Sequence, residues 1–149
     1  MSLALVLCCC TALALQASAE TEGIYTYSVE NGEATITDVA LNASGDVVIP
    51  ETLGGCPVTA IGEEAFYACT NITTVQIPDT VTTIGAGAFK SCLDLQSVVI
   101  PDSVTTLGRD ASSNCSALTE AVIGNGTVNE DDAIYLLQHV LMPEMFPLR

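Results

Sequence analysis

The chain has 149 residues, with eighteen Asp and Glu against three Lys and Arg, one His and no Trp, and a formal net charge of −15 at pH 7. A field of that sign opposes nucleic acid and anionic lipid surfaces, so neither is an expected partner. All eighteen acidic residues follow position 19, and the roughly 130 residues beyond that point suffice for one compact unit, not several.

Met1-Ser2 opens onto an apolar run from Leu3 to Leu15, followed by Gln16 and Ala17-Ser18-Ala19. This reads as a secretory signal peptide over residues 1–19, cleaved after Ala19. The run is shorter than the about 20 apolar residues of a membrane span, so no span is expected after cleavage. Cys8, Cys9 and Cys10 raise a lipid-anchor alternative, which Leu7 disfavours because a small residue would be expected before Cys8. A cleaved signal implies a secreted or cell-surface location.

Residues 20–46 read as an N-terminal β-hairpin cap. Tyr25, Tyr27 and Val29 alternate with polar residues, Asn31-Gly32 is a strong two-residue turn signal, and Ala34, Ile36 and Asp38 continue the alternation. Tyr25, Tyr27 and Tyr67 are the aromatics expected to reach the surface before the tail. A cap is needed at this end because the residues from 47 onward are periodic. Ile61-Gly62 returns as Ile84-Gly85 and Leu107-Gly108, Ile77-Pro78 as Ile100-Pro101 and then Ile123-Gly124, and Cys69 as Cys92 and Cys115, each step being 23 residues. A constant period in the low twenties marks a unit that buries its apolar side only by stacking on copies of itself, which means a solenoid over residues 47–123.

One copy shows the physics. Thr74-Val75-Gln76-Ile77 alternates as a half-buried strand does, and Pro78-Asp79 ends it with turn chemistry. Val81-Thr82-Thr83-Ile84 is a second short strand, then come Gly85, Gly87 and Ala88-Phe89, whose ring fills the middle of the coil. Ile72, Leu95 and Leu118 form one internal ladder. Val47-Val48-Ile49-Pro50 is the first repeat strand, 28 residues before Ile77-Pro78, and the five extra residues at Leu53–Pro57 are expected as a surface loop. In the third copy Ala111-Ser112 stands where Ala88-Phe89 should recur, so that rung is expected to be loose or to end the array.

The run IPDTVTTIGAGAFKSCLDLQSVVIPDSVTTLG resembles the BspA-type leucine-rich repeat of secreted and surface proteins of bacteria and some protists, over roughly Val47 to Gly126. The resemblance implies adhesion or protein binding without fixing the partner. The cysteines beyond the signal are Cys56, Cys69, Cys92 and Cys115. Three share one repeat position, which favours a buried stack of free thiols over disulfides, although rung spacing would permit one rung-to-rung bridge. Asn42, Asn71, Asn114 and Asn125 each head an Asn-x-Ser/Thr sequon, which matters only in a glycosylating host.

After the repeats, residues 124–149 form a different kind of segment. Asn129-Glu130-Asp131-Asp132 supplies a helix cap and an acidic first turn, and residues 133–142 continue as a helix with Ile134, Leu137 and Leu141 on one face, stopped by Pro143. The loop from Gly124 and this helix resemble half of a dockerin, a calcium loop-helix module that docks into cohesin in carbohydrate-degrading assemblies. Such loops place oxygen ligands at positions 1, 3, 5, 9 and 12 around a Gly at position 6. With Gly126 there, the resemblance implies Asn125, Asn129 and Asp132 as calcium ligands, while Ala121 and Ile123 occupy positions 1 and 3 without side-chain oxygen. The site is therefore a weak, degenerate one, and no other cofactor is implied. A dockerin carries two such copies and one is seen before Arg149; the competing reading is a C-terminal cap on the last rung.

No enzyme is expected. His139 is the single histidine, on a polar side of the tail helix, no Ser or Cys has a companion base nearby in sequence, and the carboxylates are scattered through turns. The reading is thus a β-rich α+β chain: a short leucine-rich-repeat solenoid with an N-terminal β-hairpin cap and one C-terminal helix. Its expected role is a secreted or cell-surface scaffold that binds a protein, such as a host or cell-surface protein, through its strand face with exposed Thr, Ser, Gln and acidic side chains. The alternative is a dockerin-bearing subunit recruited to an extracellular complex by calcium-dependent cohesin binding.

Overall fold

The computed structural model describes residues 18–123. The signal expected over residues 1–19 lies almost wholly outside these residues. So do the 124–149 segment, its helix at 133–142, His139, and Asn125, Asn129 and Asp132. Among the described residues every regular element is a strand, and there is no α-helix.

The N-terminal cap is three strands, not two: β1 (Glu20–Glu22), β2 (Tyr25–Glu30) and β3 (Glu33–Val39). Asn31 and Gly32, at φ 53° and 81°, make the tight β2–β3 turn, in which both central residues need positive φ. Between Thr26 and Tyr27 the register slips by a bulge. That slip ends the expected alternation, so Val39 and not Asp38 turns inward, at 1% exposure. The tyrosines also differ from expectation. Tyr25 and Tyr27 are buried, because their side of β2 faces the first rung. Their hydroxyls stay satisfied, Tyr25 donating to the Val48 carbonyl at 3.0 Å and Tyr27 to Glu20 Oε2 at 3.0 Å.

From here the chain alternates between two sheets. β4 (Ser44–Val48) lies in the second sheet; β5 (Thr52–Leu53) and β6 (Cys56–Ile61) return the chain to the first. The segment expected as a surface loop is a tight antiparallel hairpin, with Leu53 opposite Cys56. Gly54 and Gly55 at its tip and Pro57 are exposed, whereas Leu53 and Cys56 are apolar enough to join the core. β7 (Asn71–Gln76), β8 (Thr83–Ile84), β9 (Ser97–Ile100), β10 (Thr106–Leu107) and β11 (Glu120–Ile123) then follow the 23-residue period. The first sheet runs β1-β2-β3-β6-β8-β10 with β5 attached to β6, and the second runs β11-β9-β7-β4. All pairs between rungs are parallel, with Val75 beside Val98 and Ile61 beside Ile84.

The core lies between the sheets as columns of equivalent residues. Val58, Val81 and Val104 are one column and Ile61, Ile84 and Leu107 a second. The expected Ile72, Leu95 and Leu118 ladder is a third, all of them buried. Phe66 and Phe89 stack with centroids 5.0 Å apart and planes at 39°. Ser112 continues their column and is the buried polar residue of the core. The third copy nevertheless keeps its place. Leu107 pairs beside Ile84, β11 pairs beside β9 over its whole length, and Phe89 N donates to Ala111 O at 2.7 Å.

Turn segments over residues 62–70, 85–93 and 108–116 lead each rung from the first sheet to the second. Their amides bond to the next rung, as in Phe66 N to Ala88 O at 2.7 Å and Ser91 N to Ser113 O at 2.9 Å. Two positions per segment take left-handed backbone: Glu64, Gly87 and Asp110, then Ala68, Ser91 and Asn114.

Candidate interaction surface

The cysteine column is the first place to look for chemistry. Cys56, Cys69, Cys92 and Cys115 are all free. Cys92 Sγ donates to Phe66 O at 3.1 Å and Cys115 Sγ to Phe89 O at 3.0 Å, so each thiol meets a carbonyl of the preceding rung. Burial, with the nearby Asp38 charge, pushes the Cys69 thiol above its ordinary range. The hydrogen bond with Cys115, and then burial, push Cys92 up as well. The hydrogen bond from Cys92 lowers Cys115 in turn; Cys69 and Cys92, held neutral, are poor nucleophiles and poor metal ligands. Among the described residues no cluster of three or more His, Cys, Asp or Glu is placed to hold a metal ion.

The implied calcium loop can be placed only at its start. Ala121 and Ile123, at loop positions 1 and 3, lie in β11 and pair in register with Val98 and Ile100. Their backbone is committed to the sheet, and Asn125, Asn129 and Asp132 lie outside the described residues.

What the structure brings together instead is a surface. In a strand alternate residues face opposite sides. The inward phase of the second sheet is Val47, Val75 and Val98, so the outward phase is Val48, Gln76 and Val99, adjacent through the β4–β7 and β7–β9 registers. Val48 is 61% exposed and Val99 45%. A second outward column holds Asp46, Thr74 and Ser97. Asp46 Oδ1 accepts hydrogen bonds from Thr73 Oγ1 at 3.0 Å and Thr74 Oγ1 at 2.8 Å, which fixes the polar side chains in place. Three residues past the valine column, each rung leaves the sheet through Ile-Pro and an exposed acid: Glu51, Asp79 and Asp102.

The turn segments are different in character. On the turn segments Lys90 Nζ lies 3.8 Å from Glu64 Oε1 and 6.0 Å from the Tyr67 ring centroid. Tyr67 is 48% exposed, as expected of it from the sequence. Exposed hydroxyls along the rungs bond to carbonyls one period back, as Thr82 Oγ1 does to Thr59 O at 3.3 Å and Thr119 Oγ1 to Gln96 O at 3.4 Å. Sequence reasoning assigned binding to the strand face in general terms and missed Val48, Gln76 and Val99 in particular. Their signal was available in the alternation around Val47, Val75 and Val98.

Residues 45–136 match the family described as BspA type Leucine rich repeat region, in six copies. No curated protein matches the chain. Among solved structures, a leucine rich cell surface protein from Faecalibacterium prausnitzii is 34% identical, covered over 75% of this chain and 34% of its own, with a TM-score of 0.60. A leucine-rich repeat protein from Bacteroides ovatus is 33% identical over 70% of this chain and 31% of its own, with a TM-score of 0.61. Another from Bacteroides capillosus is 30% identical over 71% of this chain and 98% of its own, with a TM-score of 0.55. The chain spans about a third of the length of the first two.

Proposed function

The chain belongs to the BspA-type leucine-rich repeat family, and from that premise we propose that it is a secreted or cell-surface scaffold, not an enzyme, that binds another protein through the outer face of its second sheet. The observation that carries this reading is the exposed line of Val48, Gln76 and Val99 across three hydrogen-bonded strands. Two valines exposed on one face of a β-solenoid lose apolar contact with water only when a partner covers them. The Asp46–Thr73–Thr74 network beside them holds polar groups in a fixed arrangement, which lowers the entropic cost of ordering an interface. The name of the Faecalibacterium relative, a leucine rich cell surface protein, supports an exported, surface-exposed setting, and adhesion to a host or neighbouring cell protein is the use that fits it.

The test is selection of a displayed random-peptide library on the immobilised chain, followed by affinity measurement of the retained peptides on variants. Val48→Asn with Val99→Asn removes the apolar column without changing charge and is expected to weaken binding by about tenfold or more. Tyr67→Ala, on a turn segment outside the sheet, is expected to leave it unchanged. Peptides that bind both variants as well as the unaltered chain would place the interface elsewhere.

A further inference from the structure

We infer that Cys92 and Cys115 form a reactive dithiol: Cys115 takes up a disulfide-bearing molecule by thiol–disulfide exchange, and Cys92 resolves the adduct into a bridge between the second and third copies of the repeat. The pairing across these copies holds the two residues side by side. Before them, Ser91 N donates to Ser113 O at 2.9 Å and Asn114 Nδ2 to Ser91 Oγ at 3.1 Å. After them, Ala117 N and Ser116 Oγ both donate to Leu93 O at 3.2 Å. Cys92 and Cys115 are thereby clamped in register, one strand spacing of about 4.8 Å apart, which lies within the Cα separations that a disulfide spans. Their Sγ atoms also point the same way, each toward the carbonyl 26 positions earlier, Phe66 for Cys92 and Phe89 for Cys115.

Position makes the thiols of the column unequal. Cys69 and Cys92 are at 0% exposure, whereas Cys115 is only partly buried and is the member that a solute reaches. The hydrogen bond from Cys92 lowers Cys115 against the effect of its burial, and the same bond, then burial, raises Cys92. Once Cys115 gives up its proton, the Cys92 S–H stands beside the thiolate as its donor, which is the setting of an attacking sulfur. The thiolate attacks one sulfur of a disulfide R–S–S–R, forming a mixed disulfide and expelling R–S⁻. With Cys115 capped, no neighbouring thiolate holds the Cys92 proton. Cys92 then deprotonates, attacks Cys115 Sγ and expels the second R–S⁻. The two thiol protons end on the two released groups, so one R–S–S–R is reduced to two R–SH as the protein thiols are oxidised to one bridge. That bridge ties the copy in which Ser112 stands in the phenylalanine column to the copy before it.

The experiment treats the full chain, carrying Cys8→Ser, Cys9→Ser and Cys10→Ser to remove competing thiols, with dithiodipyridine, an uncharged disulfide whose released thiopyridone absorbs in the near ultraviolet. Unreacted thiols are then alkylated and the chain is digested with trypsin. Cuts after Lys90 and Arg109 place Cys92 on peptide 91–109 and Cys115 on peptide 110–149, with Cys56 and Cys69 on the peptide that ends at Lys90. Two thiopyridones should be released per chain, and peptides 91–109 and 110–149 should be recovered joined, two hydrogens lighter than their sum. Cys92→Ser, whose hydroxyl can still donate to the Phe66 carbonyl, should release one and leave Cys115 as the pyridyl adduct. Cys115→Ser should slow release by about tenfold or more; undiminished release would overturn the inference. So would an adduct that stays on Cys115 with Cys92 present, a bridge that involves Cys56 or Cys69 instead, or reaction at Cys115 no faster than at those two. These last readings come from the chain with its repeat cysteines intact and stand even if a variant fails to fold. None of them bears on the strand face as an interface.

Discussion

Gly62, Gly85 and Gly108 sit where successive rungs come closest. A Cβ at Gly85 would lie 2.5 Å from Glu63 N and 2.6 Å from Gly62 C, and one at Gly108 would lie 2.2 Å from Ala86 N. These contacts are with backbone, which cannot swing away, so the Ile-Gly pairs are explained by space. Gly85→Ala is expected to cost about 1–3 kcal/mol, as overpacking does in a close-packed interior, read as a lower urea midpoint with unchanged m-value. Phe89 and its neighbour Lys90 make a second test at this scale. Phe89 is 2% exposed against Phe66, and Phe89→Ala should cost about 3–5 kcal/mol. Lys90 holds an ion pair with Glu64 whose side chains are 43% and 52% exposed, so Lys90→Ala should cost under about 1 kcal/mol. Equal effects from the two changes would reverse the assigned inward register.

At the scale of the element, the cap governs how the first rung is protected. β3 pairs parallel with β6 and so covers the open edge of the first sheet, while among the described residues β4 ends the second sheet. The exposed edge of β4 is blunted in two ways: Gly45 takes a left-handed φ of 71° where the register with β7 shifts, and the Tyr25 hydroxyl donates to the Val48 carbonyl. Both devices discourage pairing with another chain. Burial raises Tyr25 to about 12. Burial, and then the hydrogen bond and charge of Glu20, raise Tyr27 to about 12. A phenol whose folded value exceeds its unfolded value of about 10 adds stability that is whole below pH 10 and disappears as pH climbs through 12. Alkaline unfolding followed by circular dichroism should therefore begin above pH 10, and Tyr25→Phe should flatten the loss over that window. An unchanged profile would mean that the cap is not what fails first. The pattern of Tyr25, Tyr27, Asn31 and Gly32 showed the hairpin in the sequence. The bulge at Thr26/Tyr27 did not show, because it depends on fitting β2 to a neighbour rather than on any residue preference.

For the whole molecule, stability is a near sum over rungs, since each rung touches only its neighbours. A variant in which residues 77–99 occur twice in succession preserves the 23-residue phase and adds one strand to each sheet. It should fold with the same per-residue far-UV circular dichroism and a urea m-value raised roughly in proportion to the added buried surface. Loss of cooperative unfolding would show that the columns do not tolerate another copy, against the parallel, in-register pairing from β6 to β10 and from β4 to β11.

The period, the strand alternation and the inward columns of Val, Ile, Phe and Cys were determined by the sequence alone, because a repeat that cannot bury its own apolar side has one solution, which is stacking. The sequence also carried the stacked free thiols, legible from the shared position of Cys69, Cys92 and Cys115. Tertiary structure decided what depends on partners distant in the chain. It buried Tyr25 and Tyr27 against the first rung, turned Leu53 and Cys56 inward within a hairpin, and kept the third copy in register although Ser112 replaces a phenylalanine. It also set Val48, Gln76 and Val99 in one line across β4, β7 and β9. Those residues are 23 or 28 positions apart, and only strand pairing across rungs makes them neighbours.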